Sequence, residues 1–195
     1  MIGVAHRAQA RKPDAERTEA QQAFECCLRS AVHEFHPAFI VEEDNEEFLA
    51  NRAEISISRE VAAEASGVEH RFCEPNNKER SEIGSKNFSS IALELSMAES
   101  LSDEELNCKA RAIEIARYFP IREQFWLKRL NDCHGADAIL VCGDMHLESF
   151  GNLLRDDGIP YKVVKRGIGV NEADEPYYIA LKYLEEHPGL KQWSP

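Results

Sequence analysis

Residues 136–158 of the chain are ADAILVCGDMHLESFGNLLRDDG, and they contain the pattern of a complete strand, turn and helix. The unbroken apolar run 138–142 is typical of a strand that is buried on both faces of a parallel sheet. Gly143 interrupts this run, and the apolar positions after His146 recur with the helical period as far as Gly158, where a left-handed residue can end a helix. In open α/β sheets, ligands bind outside the carboxyl ends of the strands. The turn that begins at Gly143 is therefore the first candidate site.

Similar apolar runs occur along the rest of the chain and alternate with helical patterns. This alternation predicts an α/β fold, with a mostly parallel central sheet of about five strands flanked by helices. The predicted strands are 2–6, 38–41, 70–73, 138–142 and 160–164. We expect a single α/β domain over residues 1–195, with a helical insertion at 78–131 that would cover the site as a lid or wall, and a C-terminal tail at 187–195.

The composition limits the environment and the partners of the chain. The 35 acidic side chains exceed the 23 basic ones, and the net charge of −12 disfavours binding to nucleic acid or to an anionic membrane surface. The amino terminus has no apolar signal segment, and the six scattered cysteines contain no C-x-x-C pair. These features predict a cytoplasmic protein with reduced thiols.

Polar residues follow two of the other predicted strands. Gly3-x-x-His6 repeats the pattern of the central stretch, and Glu42-Glu43 follows the strand 38–41 directly. Successive strand residues point to opposite faces, so we expect one of Glu42 and Glu43 to face the same crevice as the histidines. The alternative is that both carboxylates mark the point where the strand leaves the core. Glu74 follows the predicted strand 70–73 in the same way and is a further candidate.

Several common motifs do not occur. There is no G-x-G-x-x-G after a strand, no P-loop and no G-x-S-x-G. The string Gly67-x-x-His70 matches the histidine motif, but it lies at a predicted helix-to-strand turn near the opposite edge, so we interpret it as unrelated to the site. Asp144, inside the central turn, has two interpretations: it caps the following helix, or it supplies an oxygen ligand.

In order and spacing, Gly3-x-x-His6, Glu42-Glu43 and Gly143-x-x-His146 resemble the TraB/Tiki family of the erythromycin-esterase/ChaN-like superfamily. The resemblance runs from about residue 3 to residue 164 and is strongest in ILVCGDMHLESFGNLLRDDGIPYKVV. It is weaker in HPAFIVEE and in the helix start Ile121-Arg122-Glu123, and it does not extend over residues 78–100.

The resemblance implies a hydrolase site made by His6, one of Glu42 and Glu43, and His146. One version is metal-dependent, with Zn²⁺ or Mn²⁺ held by His6, Glu43 and His146 and an open position for water. In the other version a histidine activates water directly. The residues expected to support the site or to orient a small-molecule or peptide substrate are Asp144, Arg122, Glu123 and Glu74.

Two alternatives to a hydrolase stay open. Because ChaN-like members bind haem, the chain could be a non-catalytic ligand-binding or regulatory module of the same fold, for a small ligand or for haem held by an exposed His or Tyr. It could also be a subunit of a larger assembly, for which an exposed apolar helix face in residues 101–130 would be the sign. The sequence is compatible with a homo-oligomer.

Overall fold

The apolar runs of the sequence pair with one another in a single parallel sheet. The computed structural model describes residues 1–133, 135–171 and 175–190. Its strands are β1 (Ile2–Val4), β2 (Ala10–Arg11), β3 (Phe39–Glu42), β4 (Ile55–Ser56), β5 (Glu69–Phe72), β6 (Ala138–Gly143) and β7 (Lys165–Ile168). Five of them form a sheet in the order β5-β3-β6-β1-β7, in which every neighbouring pair is parallel, and β2 and β4 form a small antiparallel pair. The predicted fold class is confirmed.

Helices follow the strands along the chain. They are α1 (His6–Gln9), α2 (Glu19–Phe35), α3 (Glu46–Arg52), α4 (Ile57–Glu64), α5 (Asn77–Glu82), α6 (Phe88–Ala98), α7 (Asp103–Ile113), α8 (Phe119–Asn131), α9 (Leu147–Asp156) and α10 (Glu175–Glu186). A π-helical segment, Glu114–Tyr118, joins α7 to α8, and the 3-10 turn Asp144–His146 joins β6 to α9. Gly158 has a φ of +72° directly after the end of α9, so the predicted left-handed residue is present.

The chain divides into two compact units. The first consists of residues 1–76 and 124–170, and the second of residues 77–123 and 171–190, within the described part of the chain. The predicted helical segment 78–131 is occupied by α5 to α8, and its function as a lid stays a prediction. Of the predicted tail 187–195, residues 188–190 form a 3-10 turn, and residues 191–195 lie outside the described residues.

In the first unit, alternate residues of the central strands enter two different apolar cores. On one face of the sheet, Ile40 and Val141 pack with residues of α2 and α4. On the other face, Val41 and Cys142 pack with residues of α8 and α9, among them Trp126. This alternation is the period of two that a strand buried on both faces requires.

In the second unit, helices pack on one another without a sheet. Ile91 of α6 packs with Ala110 and Ile113 of α7, and Ala112 of α7 packs with residues of α10. Ser102 and Glu105 form a capping box at the start of α7, as the sequence indicates. No helix among the described residues is both long enough and apolar enough to cross a membrane.

The fifth predicted strand lies at the wrong place in the sequence. It was expected at 160–164, and the structure has it at Lys165–Ile168. The pairing positions on β1 explain the difference, because Ile2 lies opposite Lys165 and Val4 lies opposite Ile168. The preceding residues bind Met1, just before β1: the N–H of Val164 donates to the carbonyl of Met1 at 2.8 Å, and the amino terminus of Met1 donates to the carbonyl of Lys162 at 2.5 Å.

Gly3 lies where β1 meets the turn after β6. A Cβ atom built on Gly3 would lie 2.4 Å from Cδ1 of Leu147 and 2.5 Å from Oδ1 of Asp144, and neither distance is compatible with a real contact. We therefore expect Gly3→Ala to lower the free energy of unfolding by about 1–3 kcal/mol through overpacking. Gly189→Ala is the control, since an added Cβ there meets nothing within 4 Å. Urea unfolding measures both, and equal stability of the two variants would contradict this account of Gly3.

Candidate functional site

The two glutamates at the end of β3 point to opposite faces of the sheet. The ladder continues one residue past β3, because the N–H of Glu43 donates to the carbonyl of Val141 at 2.9 Å. Glu42 therefore continues the face of Ile40, and Glu43 continues the face of Val41. The sequence left open which of the two carboxylates faces the histidines. The alternation of faces along the strand decides between them.

Glu43 is the carboxylate that meets both histidines. It is only 2% exposed, and its Oε2 accepts a hydrogen bond of 2.6 Å from the N–H of Gly143. Its Oε1 lies 3.6 Å from Nε2 of His6 and 3.4 Å from Nε2 of His146. Three strand ends thus bring two imidazoles and one anchored carboxylate together. We refer to His6, Glu43 and His146 as the His–Glu–His cluster.

Gly143 leaves the space in which this cluster assembles. A Cβ atom on Gly143 would lie 3.2 Å from Nε2 of His6 and 3.3 Å from Oε2 of Glu43. These distances are tighter than ordinary contacts, so a side chain at this position would push the two groups apart. The glycine of the second Gly-x-x-His motif thus keeps the carboxylate close to its backbone N–H.

The two histidines of the cluster differ in their access to solvent. The side chain of His6 is 61% exposed and begins the short helix α1, whereas that of His146 is 2% exposed. The ring of His146 lies against the indole of Trp126, with a centroid distance of 4.7 Å. On the other side, Nδ1 of His6 lies 3.4 Å from Nε2 of Gln9. Solvent can therefore reach His6 directly.

Glu74 and Trp126 extend the cluster into the core. The indole N–H of Trp126 donates to Oε2 of Glu74 at 3.0 Å, and both side chains are buried. The structure therefore links Glu74 to the cluster through Trp126 and the ring of His146. Trp126 was not identified from the sequence, although a buried indole usually has an acceptor for its N–H, and that rule could have identified the pair.

Asp144 is not the N-cap of α9. No side-chain capping bond is present at the 3-10 turn or at the start of α9, so the capping interpretation is wrong. Instead, Oδ1 of Asp144 accepts a hydrogen bond of 2.6 Å from the N–H of Gly167 in β7, and Oδ2 lies 3.5 Å from Arg166. Asp144 therefore connects the site turn to the edge strand β7.

Glu42 lies away from the cluster, in a second polar group. Its Oε2 accepts hydrogen bonds from Ser56 Oγ at 2.5 Å and from His70 Nε2 at 3.0 Å, and Glu42 is fully buried. His70, which the sequence set aside, is thus a partner of Glu42 and not of Glu43. Ser56 was not identified from the sequence; its hydroxyl also caps α4 by accepting from the N–H of Arg59 at 2.9 Å.

Arg122 and Glu123 are buried in α8 and belong to the second unit. The guanidinium of Arg122 lies 5.5 Å from the ring centroid of Phe119. Their predicted function in orienting a substrate stays a prediction.

A metal centre requires several His, Cys, Asp or Glu side chains that converge on one point. Among the described residues, no group of three or more His, Cys, Asp or Glu side chains is arranged so that it could hold one. Metal binding by His6, Glu43 and His146 therefore stays a prediction from the sequence. Burial raises the pKa of the Cys73 thiol well above the ordinary value, which favours the protonated form.

Comparison with protein-family models, with curated proteins and with solved structures finds no match to this chain. The resemblance to the TraB/Tiki family therefore stays a prediction from the motifs.

Glu42 is expected to stabilise the fold. Glu42→Ala would leave the hydroxyl of Ser56 and the imidazole of His70 without their buried acceptor, and we expect it to lower the free energy of unfolding by about 2–4 kcal/mol. Glu64→Ala, which removes an exposed partner of Arg29, should cost less than about 1 kcal/mol. Chemical denaturation measures both, and a Glu42→Ala variant as stable as the control would contradict a structural function of Glu42.

Proposed function

We propose that the chain is a hydrolase that activates water at the His–Glu–His cluster, with His6 as the general base. The observation that supports this proposal is the approach of two imidazoles to one buried carboxylate, at distances of 3.4 and 3.6 Å, at the carboxyl edge of a parallel sheet. Sites in this fold class collect at this edge. The substrate class that we propose is the one expected from the sequence, a small molecule or a peptide.

His6 is the proposed proton-transfer group. A general base must reach the water molecule from which it takes a proton, and the imidazole of His6 is 61% exposed while that of His146 is buried. When His6 accepts a proton it becomes a cation, and the carboxylate of Glu43 stands 3.6 Å from its Nε2 to stabilise that charge. In catalytic triads, likewise, the imidazole takes up the proton and the carboxylate stabilises the resulting cation.

Glu43 and His146 have supporting functions in this mechanism. The hydrogen bond from Gly143 keeps Glu43 oriented, and burial keeps competing water away from its oxygens. His146, packed on Trp126, closes the inner side of the carboxylate. A carboxylate that is shielded in this way interacts more strongly with a nearby cation than one in bulk water.

The neighbours of His6 also determine its tautomer. The carboxylate of Glu43 is an acceptor and faces Nε2, whereas the side-chain N–H of Gln9 is a donor and faces Nδ1. Both neighbours favour a neutral imidazole with its proton on Nε2. The lone pair on Nδ1 then accepts the proton, because the 3.4 Å contact with Gln9 is too long to compete strongly with a water molecule.

The activity test uses isosteric variants of the cluster. Wild type purified without a metal-affinity step is screened on nitrophenyl esters, nitrophenyl phosphates and fluorogenic peptides, and the metal content of the sample is measured by mass spectrometry. We expect His6→Gln and Glu43→Gln to lower kcat by about 10²–10⁴-fold, the usual contribution of general acid–base catalysis. His33→Gln, which changes an exposed histidine of α2, should retain full activity.

Three results would overturn this proposal. Cluster variants that are as active as wild type would separate the activity from the cluster. A near-stoichiometric metal that is lost in the variants would replace the mechanism by the metal-dependent one. A wild type that is inactive on every substrate but binds one ligand or haem stoichiometrically would favour the non-catalytic module.

The tautomer of His6 can be measured independently of any substrate. We expect the ¹⁵N spectrum of the neutral imidazole to show a protonated Nε2 and an unprotonated Nδ1, because Glu43 and Gln9 both select that form. In Gln9→Leu the preference should weaken, since one of the two selecting neighbours is removed. The exposed His33 serves as the reference for an unconstrained ring. A proton on Nδ1 of His6 in the wild type would contradict the proposed direction of proton transfer.

A further inference from the structure

We propose that the second unit contains a binding site for a phosphate group, at the amino end of α6, in which Ser85, Lys86 and Arg80 contact the ligand. The site is independent of the proposed hydrolase and lies entirely within residues 77–90.

The residues that line the cavity at this position carry a net positive charge, although the chain as a whole is strongly acidic. The cavity has a volume of about 360 Å³, and it is lined by Asn77, Arg80, Ser81, Gly84, Ser85, Lys86, Asn87 and Ser90. Two of these eight residues are cationic and none carries a carboxylate, although the whole chain has 35 acidic and 23 basic residues. The lining therefore favours an anion.

The helix α6 adds its amino terminus to this lining. It is 11 residues long and begins at Phe88, with Asn87 as the N-cap that accepts from the N–H of Ser90 at 2.9 Å. The free N–H groups and the dipole of a helix favour a negative charge at this end. The N–H of Phe88, on the inner side, donates to the buried carboxylate of Glu114 at 3.1 Å. The carboxylate of Glu114 thus already accepts a hydrogen bond from one backbone N–H at this end of the helix.

Ser85 is the observation that indicates a ligand. It is only 8% exposed, although Ser81, Gly84 and Asn87 around it are exposed. Its hydroxyl is buried, and it has no hydrogen-bond partner within the described protein. A buried hydroxyl without a partner costs free energy, and native proteins usually satisfy such a group. An anion in the cavity would accept its hydrogen bond.

The backbone of the loop holds Ser85 in this position. The N–H of Ser85 donates to the carbonyl of Arg80 at 2.8 Å, and Gly84 precedes it with a φ of +69°. This is the turn that ends α5, and only a residue without a Cβ adopts this φ readily. The turn therefore places the hydroxyl of Ser85 and the side chain of Arg80 at one cavity.

Lys86 supplies the second cation. Its Nζ lies 2.6 and 2.8 Å from the two carboxylate oxygens of Glu94, which is in the second turn of α6 and outside the cavity lining. The side chain of Lys86 is 41% exposed. The ion pair holds the ammonium close to the helix surface. An exposed pair of this kind contributes little stability, so a phosphate can share the lysine at low cost.

The ligand class follows from these donors. A hydroxyl, the amino end of a helix, a lysine and an arginine together match the several oxygen acceptors and the double charge of a phosphate group. The cavity is also in the range of about 300–1,000 Å³ that holds small ligands, and a phosphate group alone would fill only part of it. We therefore infer a small molecule that carries a phosphate ester.

The test titrates the full chain with inorganic phosphate and with glycerol phosphate, and follows the backbone amide signals of residues 85–90 by NMR. Saturable shifts of these signals with both probes, and tighter binding of the ester, are the expected result. Tighter binding of inorganic phosphate would assign free phosphate as the ligand and overturn the ester assignment. Acetate, which carries a single charge, should bind more weakly than either; equal binding of acetate would overturn the phosphate assignment as well.

Two substitutions locate the site. Ser85→Ala and Lys86→Gln should each weaken binding by about tenfold or more, the loss expected for one hydrogen bond to a charged group. Lys78→Gln is the matched control, because this lysine is 84% exposed on α5 and does not line the cavity. Signals of α7 and α10, which lie in the same unit and outside the cavity lining, report whether each variant is folded. Shifts that do not saturate, or equal weakening by Lys78→Gln, would overturn the proposal.

Discussion

The parallel pairing of β6 between β1 and β3 is the constraint on which the site depends. Val4 lies opposite Gly143, and Glu42 lies opposite Val141, so the three strands end within one or two residues of each other. The residues that follow the strand ends therefore meet, although they come from the beginning, the first quarter and the last third of the chain. A slip of one residue would exchange the faces of the two glutamates and remove the cluster.

The adjacent carboxylates of Glu42 and Glu43 illustrate how strictly this constraint acts. Both carboxylates are buried, and they belong to neighbouring residues at the end of one strand. Glu42 binds a serine hydroxyl and a histidine inside the protein, which suits a structural carboxylate. Glu43 instead is fixed by a backbone N–H and faces an exposed imidazole, which suits a carboxylate that stabilises a transient charge. Their chemistry differs because their partners differ.

The glycines of the two Gly-x-x-His motifs have a physical explanation in the structure. At Gly3, the missing side chain leaves room for Asp144 and Leu147, so that the turn after β6 can pack on β1. At Gly143, it leaves room for the imidazole of His6 and the carboxylate of Glu43. Each glycine thus makes space for groups of a different strand end. The glycine of the Gly-x-x-His motif allows close packing between neighbouring strands, and the histidine supplies the imidazole.

The sequence by itself determined the fold class, the positions of most strands and the set of residues at the strand ends. Apolar runs and helical periods are local, and they are visible without neighbours. It did not determine which glutamate faces the histidines, that Asp144 binds β7, or that His70 and Ser56 hold Glu42. It also placed the edge strand too early, because only the pairing positions on β1 select residues 165–168. These choices depend on register and on contacts between distant segments. Those contacts exist only once the sheet has formed, and the tertiary structure alone decided them.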